Sequence, residues 1–343
     1  MSEQASSDVV PHRTFVVRAV LRTDVGLVRS ENQDFGTYTT PSEEKDNHAS
    51  GRLLVVADGM GGHRGGATAS RIAGETVKAQ FLGSETTDIA AALRDSLTRA
   101  NARIYSEAHA NPELRGMGTT TSALAVRGDH AWLAHVGDSR IYLVRGDTIR
   151  QLTEDHSLVA TMVREGLLTP QEAEVHPRRN VLQRSMGVSD DVEIDVRGPF
   201  QLCEGDTFIL CSDGLHGLVK EQELKQIAQS TIEDAANEFL RRALERGAPD
   251  NVTVIVARVE LATAEQADEF DETLNDTQKL VAVTDEALRD TDKIKVADPD
   301  PAPTAAIERP SDPTAGRSRT SLLWALLFVT VIVAAGAWYY LFR

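Results

Sequence analysis

Apolar positions along the chain follow two periods. In TFVVRAVL (residues 14–21), Phe15, Val17, Ala19 and Leu21 share one face at period two, the spacing of a half-buried strand. RLLVVAD (residues 52–58) is a continuous apolar run between turn residues and reads as a central strand. ATASRIAGETVKAQFL (residues 67–82) reads as a helix. A longer one follows over residues 87–110, with Ile89, Leu93, Leu97 and Ile104 on one face and Asn111-Pro112 as its stop. Residues 119–152 read as a meander of strands with turns at Gly128-Asp129, Gly137-Asp138 and Gly146-Asp147. A short helix then ends at Gly166, and another starts with Thr169 as N-cap and Pro170 in the first turn. DTFILCS (residues 206–212) and NVTVIVARVE (residues 251–260) are further strands, separated by helices near residues 220–229 and 233–245. Strands and helices in nearly separate groups predict an α+β fold, with sheet packed on sheet and helices on both outer faces.

After residue 261 the pattern changes. Residues 262–316 carry 14 Asp and Glu, 5 Lys and Arg and five of the chain's twelve prolines. Low apolar content and self-repelling charge make residues 262–321 a linker. As a coil, the 55 residues of that acidic stretch would reach about 40 Å. Residues 322–342 (LLWALLFVTVIVAAGAWYYLF) are 21 residues without a charge, about 31 Å as a helix, which predicts a transmembrane span. Trp324, Trp338, Tyr339 and Tyr340 mark its two ends, and Arg317 and Arg319 precede it where only Arg343 follows. That bias puts the long N-terminal part in the cytoplasm, tethered to the membrane through this helix. Residues 1–13 lack the apolar core of a signal peptide and read as a disordered N-terminus. One domain, residues 14–261, remains.

Composition narrows what that domain does. The chain has 343 residues and a formal charge of -16, and residues 1–261 hold 28 basic against 38 acidic side chains. A surplus of carboxylates argues against nucleic-acid binding and suits cations. Cys203 and Cys211 form no CxxC pair, which excludes a cysteine-rich zinc site. The histidines, His216 among them, show no ligand spacing. GMGGHRGG lacks the GK[ST] of a P-loop.

The candidate chemistry lies where strands end. LLVVADG ends on Asp58-Gly59, AHVGDSR holds Asp138, FILCSDG holds Asp213, and Asp250 immediately precedes the last strand. Asp34 closes RSENQD after the first. A single Asp-Gly is more often a turn than a ligand. Several carboxylates at the ends of buried strands, however, are costly to leave ionised without a partner. Oxygen ligands without His or Cys select a hard ion, Mg²⁺ or Mn²⁺. Two such ions bridged by one carboxylate, Asp58 being the best placed, would activate a water for in-line attack on phosphorus.

Seven motifs carry a resemblance: RSENQD (29–34), VVADGMGGH (55–63), GMGTTTSAL (116–124), HVGDSRIYLV (135–144), LTEDHSLV (152–159), ILCSDGLHGLV (209–219) and PDNVTVIV (249–256). In this order they resemble the bacterial branch of the metal-dependent protein phosphatases of type 2C, over about residues 14–260. The resemblance implies a four-layer αββα sandwich and hydrolysis of phosphoserine and phosphothreonine in proteins, opposing a Hanks-type Ser/Thr kinase. It implies that Asp58 bridges two Mn²⁺ or Mg²⁺ ions and that the Gly59 carbonyl completes the first site. Asp213 and Asp250 would hold the second ion and Asp138 a weaker third. Arg29 would clamp the substrate phosphate, and Asp34 would orient a water. Ser212 and Asn251 would support the ligands, as would Gly116, Gly118 and Thr119. Residues 156–191 match the flap bordering the site, where Arg178, Arg179 and Arg184 are candidates to meet phosphopeptide. The chain departs from many animal members in having Gln33 before Asp34 and Met60 after Asp58-Gly59, where a Glu and a His stand; His63, three residues on, does not inherit the acid role. Two other functions stay open: a catalytically weak phosphoprotein-binding module, and a metallohydrolase of small phosphate esters.

Overall fold

A computed structural model describes residues 15–40, 51–61 and 64–261. In chain order, strands β1 (Phe15–Asp24), β2 (Asp34–Tyr38) and β3 (Arg52–Met60) lead into helices α1 (Gly65–Leu82) and α2 (Ile89–Ala110). Strands β4 (Gly118–Thr119), β5 (Thr121–Arg127), β6 (His130–Val136), β7 (Arg140–Arg145) and β8 (Thr148–Gln151) follow, then short helices α3 (Leu158–Arg164) and α4 (Pro170–Glu174). The rest is β9 (Asp195–Gln201), β10 (Thr207–Cys211), α5 (Asp213–His216), α6 (Glu221–Ile227), α7 (Ile232–Glu245) and β11 (Val252–Leu261).

These strands form two antiparallel sheets. One has the order β1-β11-β10-β7-β8; the other runs β2-β3-β5-β6-β9, with β4 paired to the end of β3. Period-two strands such as β1 bury one face, and the inward faces meet in an apolar layer that includes Val17, Leu54, Val56, Leu124, Leu133, Phe208, Leu210 and Ile255. Each large side chain sealed there contributes about 1.5–3 kcal/mol of burial. The outer face of the β3 sheet is covered by α1 and α2 through Phe81, Leu93, Leu97 and Ile104. The outer face of the other sheet is covered by the α5–α7 segment through Leu215, Leu224 and Phe239. The order of layers is helix, sheet, sheet, helix.

Local chemistry sets the helix ends. Asp88 caps α2 by accepting from the Ala91 N–H, and Asn111 closes it just before Pro112. Thr169 caps α4 in a reciprocal box with Glu172, with Pro170 in the first turn.

The expected meander is corrected. Gly128-Asp129 and Gly146-Asp147 turn true hairpins, β5–β6 and β7–β8, but the hairpins belong to different sheets. Between them, Gly137-Asp138 is the corner where the chain leaves one sheet for the other. Two strands have no clear sequence signal: β2, partly buried throughout, and β9, an edge strand containing Gly198-Pro199. The flap residues 156–191 hold α3 and α4 and are bridged to the body at Thr119–Met186. Among the described residues no helix is long and apolar enough to cross a membrane. The predicted span 322–342, the linker 262–321 and the N-terminus 1–13 lie outside the described residues, as does His63.

Candidate active site

The predicted carboxylates reach one cleft by two routes. Asp34 and Asp58 stand opposite each other on neighbouring strands β2 and β3. Asp138 sits at the corner between the sheets, Asp213 opens α5 just after β10, and Asp250 stands two residues before β11. Arg29, Gln33, Asp58, Gly59, Asp138, Asp213 and Asp250 all line the same cleft of about 620 Å³. Asp34 lies beside it, its Oδ2 accepting from the Ser212 hydroxyl at 2.7 Å.

Two Asp-Gly pairs prove to be close approaches rather than turns. A side chain on Gly59 would meet the Gly66 carbonyl oxygen at 2.0 Å, and one on Gly214 would meet the Asn251 carbonyl oxygen at 1.9 Å. Glycine is required at both places because another backbone passes there. In this way β3 is pressed against the start of α1, and Asp213 is pressed against the segment that carries Asp250.

Hydrogen bonds hold the ligand backbones still. The Asp58 carbonyl accepts from the Thr120 N–H and the Thr119 hydroxyl, both at 2.9 Å, and the Asp58 N–H donates to Thr120 Oγ1 at 2.9 Å. Asn251 staples the loop carrying Arg29: its Nδ2 donates to the Val25 and Glu31 carbonyls at 2.9 Å, and its Oδ1 accepts from the Gln33 N–H at 2.8 Å. Arg29 reaches over the cleft to Asp250 Oδ2 at 2.7 Å. Of the flap arginines, Arg179 lies within the field of Asp213. Arg184 is engaged elsewhere, with Asp195 at 3.0 Å and Glu193 at 2.9 Å.

Electrostatics favour positive charge in the cleft. Burial, with the charges of Asp213 and Asp250 beside it, pushes the Asp34 carboxyl up to about 7 against the hydrogen bond from Ser212. Burial and then Asp213 push Asp138 up to about 8, although Arg140 opposes the shift. Asp58 is raised well above the carboxylate range by burial, then by Asp34 and Asp213; Asp213 is raised by burial and Asp250. One arginine does not neutralise this much acid, and a divalent cation would remove the penalty.

The donor set fits hard cations, with aspartate carboxylates and the backbone of Gly59 lining the cleft and no thiolate or imidazole there among the described residues. Among those residues no three Asp, Glu, His or Cys side chains are arranged to hold an ion by themselves. Ions of the Mg²⁺ class keep several waters and take one or two carboxylates, so a hydrated ion suits the spread-out set.

The positions expected from the sequence at Arg29, Asp34, Asp58, Gly59, Asp138, Asp213 and Asp250 therefore share one region. Sequence reasoning missed Thr120, whose hydroxyl links Asp58 to Ser139 at 2.7 Å, and Asn180 and Leu182, which bring the flap to the cleft wall. Thr120 belongs to a Thr-Thr-Thr run in which the resemblance marks only its neighbour Thr119 as supporting the site. Asn180 and Leu182 carry no signal that a solvated loop would not.

Comparison with known proteins agrees with this geometry. The model of the protein phosphatase 2C family matches residues 31–247. A serine/threonine phosphatase named stp from Listeria monocytogenes is 39% identical over 254 residues, which span 71% of this chain and 97% of that protein. The crystal structure of serine/threonine phosphatase Stp1 from Staphylococcus aureus is 36% identical with a TM-score of 0.65, over 71% of this chain and 96% of that one. The catalytic domain of serine/threonine protein phosphatase PstP, solved in complex with two manganese ions, is 34% identical with a TM-score of 0.62, over 72% of this chain and all (100%) of that one. With the motifs in order, two antiparallel sheets under helices and a cleft of carboxylates suited to metal, the chain belongs to the protein phosphatase 2C family.

Proposed function

We propose that this chain hydrolyses phosphoserine and phosphothreonine in proteins with two divalent cations, Mn²⁺ or Mg²⁺, opposing a Hanks-type Ser/Thr kinase at the cytoplasmic face of a membrane. The observation that carries the reading is the meeting of four aspartates, Asp58, Asp138, Asp213 and Asp250, with one arginine in a single cleft. Asp58 would be shared by both cations, the Gly59 carbonyl completing one site and Asp213 and Asp250 the other, with Asp138 at a weaker third. When bound, the cations supply Lewis acidity at phosphorus and lower the pKa of a water. The chain's own groups do the rest. Arg29 offers a planar fork to the phosphate, and its loop is fixed by Asn251. Asp34, steadied by the Ser212 hydroxyl, orients a water beside Asp58. The Arg29 guanidinium already lies at the cleft, 2.7 Å from Asp250 Oδ2.

Release of phosphate from a phosphothreonine peptide, with Mn²⁺ and after chelation, tests this. Activity that survives chelation, or persists in Asp58→Ala, would sink the two-cation reading. A folded chain that binds the peptide but releases no phosphate with Mn²⁺ is the binding module instead, and one that prefers small esters is the general metallohydrolase. The membrane part rests on the charge-free run 322–342. Alkaline extraction of membranes from expressing cells checks it, and a chain recovered in the soluble fraction would overturn the anchor.

A further inference from the structure

The corner that carries Asp138 is fastened on three sides. The Gly137 carbonyl accepts from the His156 N–H at 2.8 Å, and the Gly137 N–H donates to His156 Nδ1 at 3.1 Å. The Ser139 carbonyl accepts from the Ser122 hydroxyl at 2.7 Å. The Asp138 carbonyl is held by neither neighbour: His216 Nε2 lies 3.0 Å from it. A carbonyl oxygen only accepts, so Nε2 carries the proton and donates.

Position in the chain gives that bond its meaning. His216 is the last residue of α5, the single turn that begins with Asp213, and the Gly217 N–H closes the turn onto the Asp213 carbonyl at 2.8 Å. Asp138 enters the cleft from the β6–β7 corner and Asp213 from the end of β10. The bond from His216 joins these separately built pieces directly.

We propose that His216 is a positioning residue, setting the placement of Asp138 relative to Asp213 through the Asp138 carbonyl. The proposal rests on the reading of Asp138 as a cation ligand. It does not require His216 to touch metal, substrate or water: Nε2 is bonded to a peptide carbonyl, and the charge that reaches the ring from a carboxylate is that of Asp155, which is not among the proposed cation ligands. Groups that orient ligands from outside in this manner typically tune metal affinity by about 10- to 100-fold.

A double-mutant cycle on the full-length chain tests it, read by calorimetric Mn²⁺ titration alongside phosphopeptide hydrolysis. His216→Leu keeps the bulk and removes the donor; His216→Gln returns an N–H on an arm of similar reach. The leucine variant should weaken Mn²⁺ binding at the Asp138-dependent site by about tenfold, and the glutamine variant should recover most of it. In an Asp138→Asn background, where that site is already impaired, His216→Leu should add less than about a twofold change. A leucine penalty that persists undiminished in that background, or a glutamine variant as damaging as the leucine one, would overturn the proposal. Should the leucine chain unfold, His216→Asn, whose shorter amide does not reach the carbonyl, runs the same cycle. If Asp138→Asn alone leaves Mn²⁺ binding unchanged, the cation reading of Asp138 fails and the positioning role falls with it. Intact hydrolysis in that same variant would leave the phosphatase reading standing.

Discussion

The two sheets deliver their carboxylates differently. The β3 sheet supplies Asp34 and Asp58 from within paired strands, cross-strand partners in a hydrogen-bonded ladder. The other sheet supplies Asp213 and Asp250 from the ends of β10 and β11, and Asp138 comes from the corner between the sheets. Strand positions cannot shift without breaking register, whereas corner positions depend on a few local hydrogen bonds. The first pair is therefore a fixed reference against which the others are set. That difference predicts how each half of the site fails.

The largest effect belongs to the strand-held bridge. Asp58→Asn should lower kcat on a phosphothreonine peptide by about 10³-fold, the scale of losing a preorganised electrostatic partner, and excess Mn²⁺ should not restore it. Restoration would show that Asp58 is as adjustable as a corner ligand and would erase the contrast. Arg29→Ala comes next, with a loss in kcat/KM of about 10²-fold carried mainly by KM, and Arg29→Lys should regain only part of it. Equal recovery by lysine would mean that charge, not the fork, is what the site uses. Asp138→Asn should cost about tenfold at limiting Mn²⁺ and much less at saturation, as expected of a weak, corner-held ligand.

The smallest effect is on stability, and pH reveals it. Asp34 and Asp138 have folded-state values raised to about 7 and about 8, so the folded, metal-free chain binds protons that the unfolded chain has released. Its stability then falls as pH rises toward those values. Below about 6.5 the trend is opposed by His135 and His216, whose folded-state values are lowered to about 4 and about 3 by burial. Between about pH 6.5 and 8 the melting temperature of the chelated chain should decline by a few degrees, and saturating Mn²⁺ should flatten the slope. A slope unchanged by Mn²⁺ would separate these carboxylates from the cations.

Much of this was legible in residue order. Apolar runs that end in or follow an aspartate located Asp58, Asp138, Asp213 and Asp250, because burying a strand next to an acid is a visible conflict. The crossing at Gly137-Asp138 was not legible: a two-residue Gly-Asp pair looks the same whether it turns a hairpin or carries the chain between sheets, and only pairing decides. β9 was hidden because an exposed edge with Gly-Pro has neither alternation nor an apolar run. His216 was passed over because one histidine has no spacing to read, and its partner is a backbone carbonyl 78 residues away.

The pairing of β1 with β11, from Phe15 opposite Leu261 to Asp24 opposite Val252, joins the two ends of the described residues. On the ribosome, β1 waits without its partner until more than two hundred residues have been added, since loop closure must precede the contacts that reward it. Asp250 and Asn251, which pin the Arg29 loop, are among the last site residues to be made. A nascent or truncated chain therefore has acid but no assembled cleft, and phosphatase activity would switch on only with the complete domain.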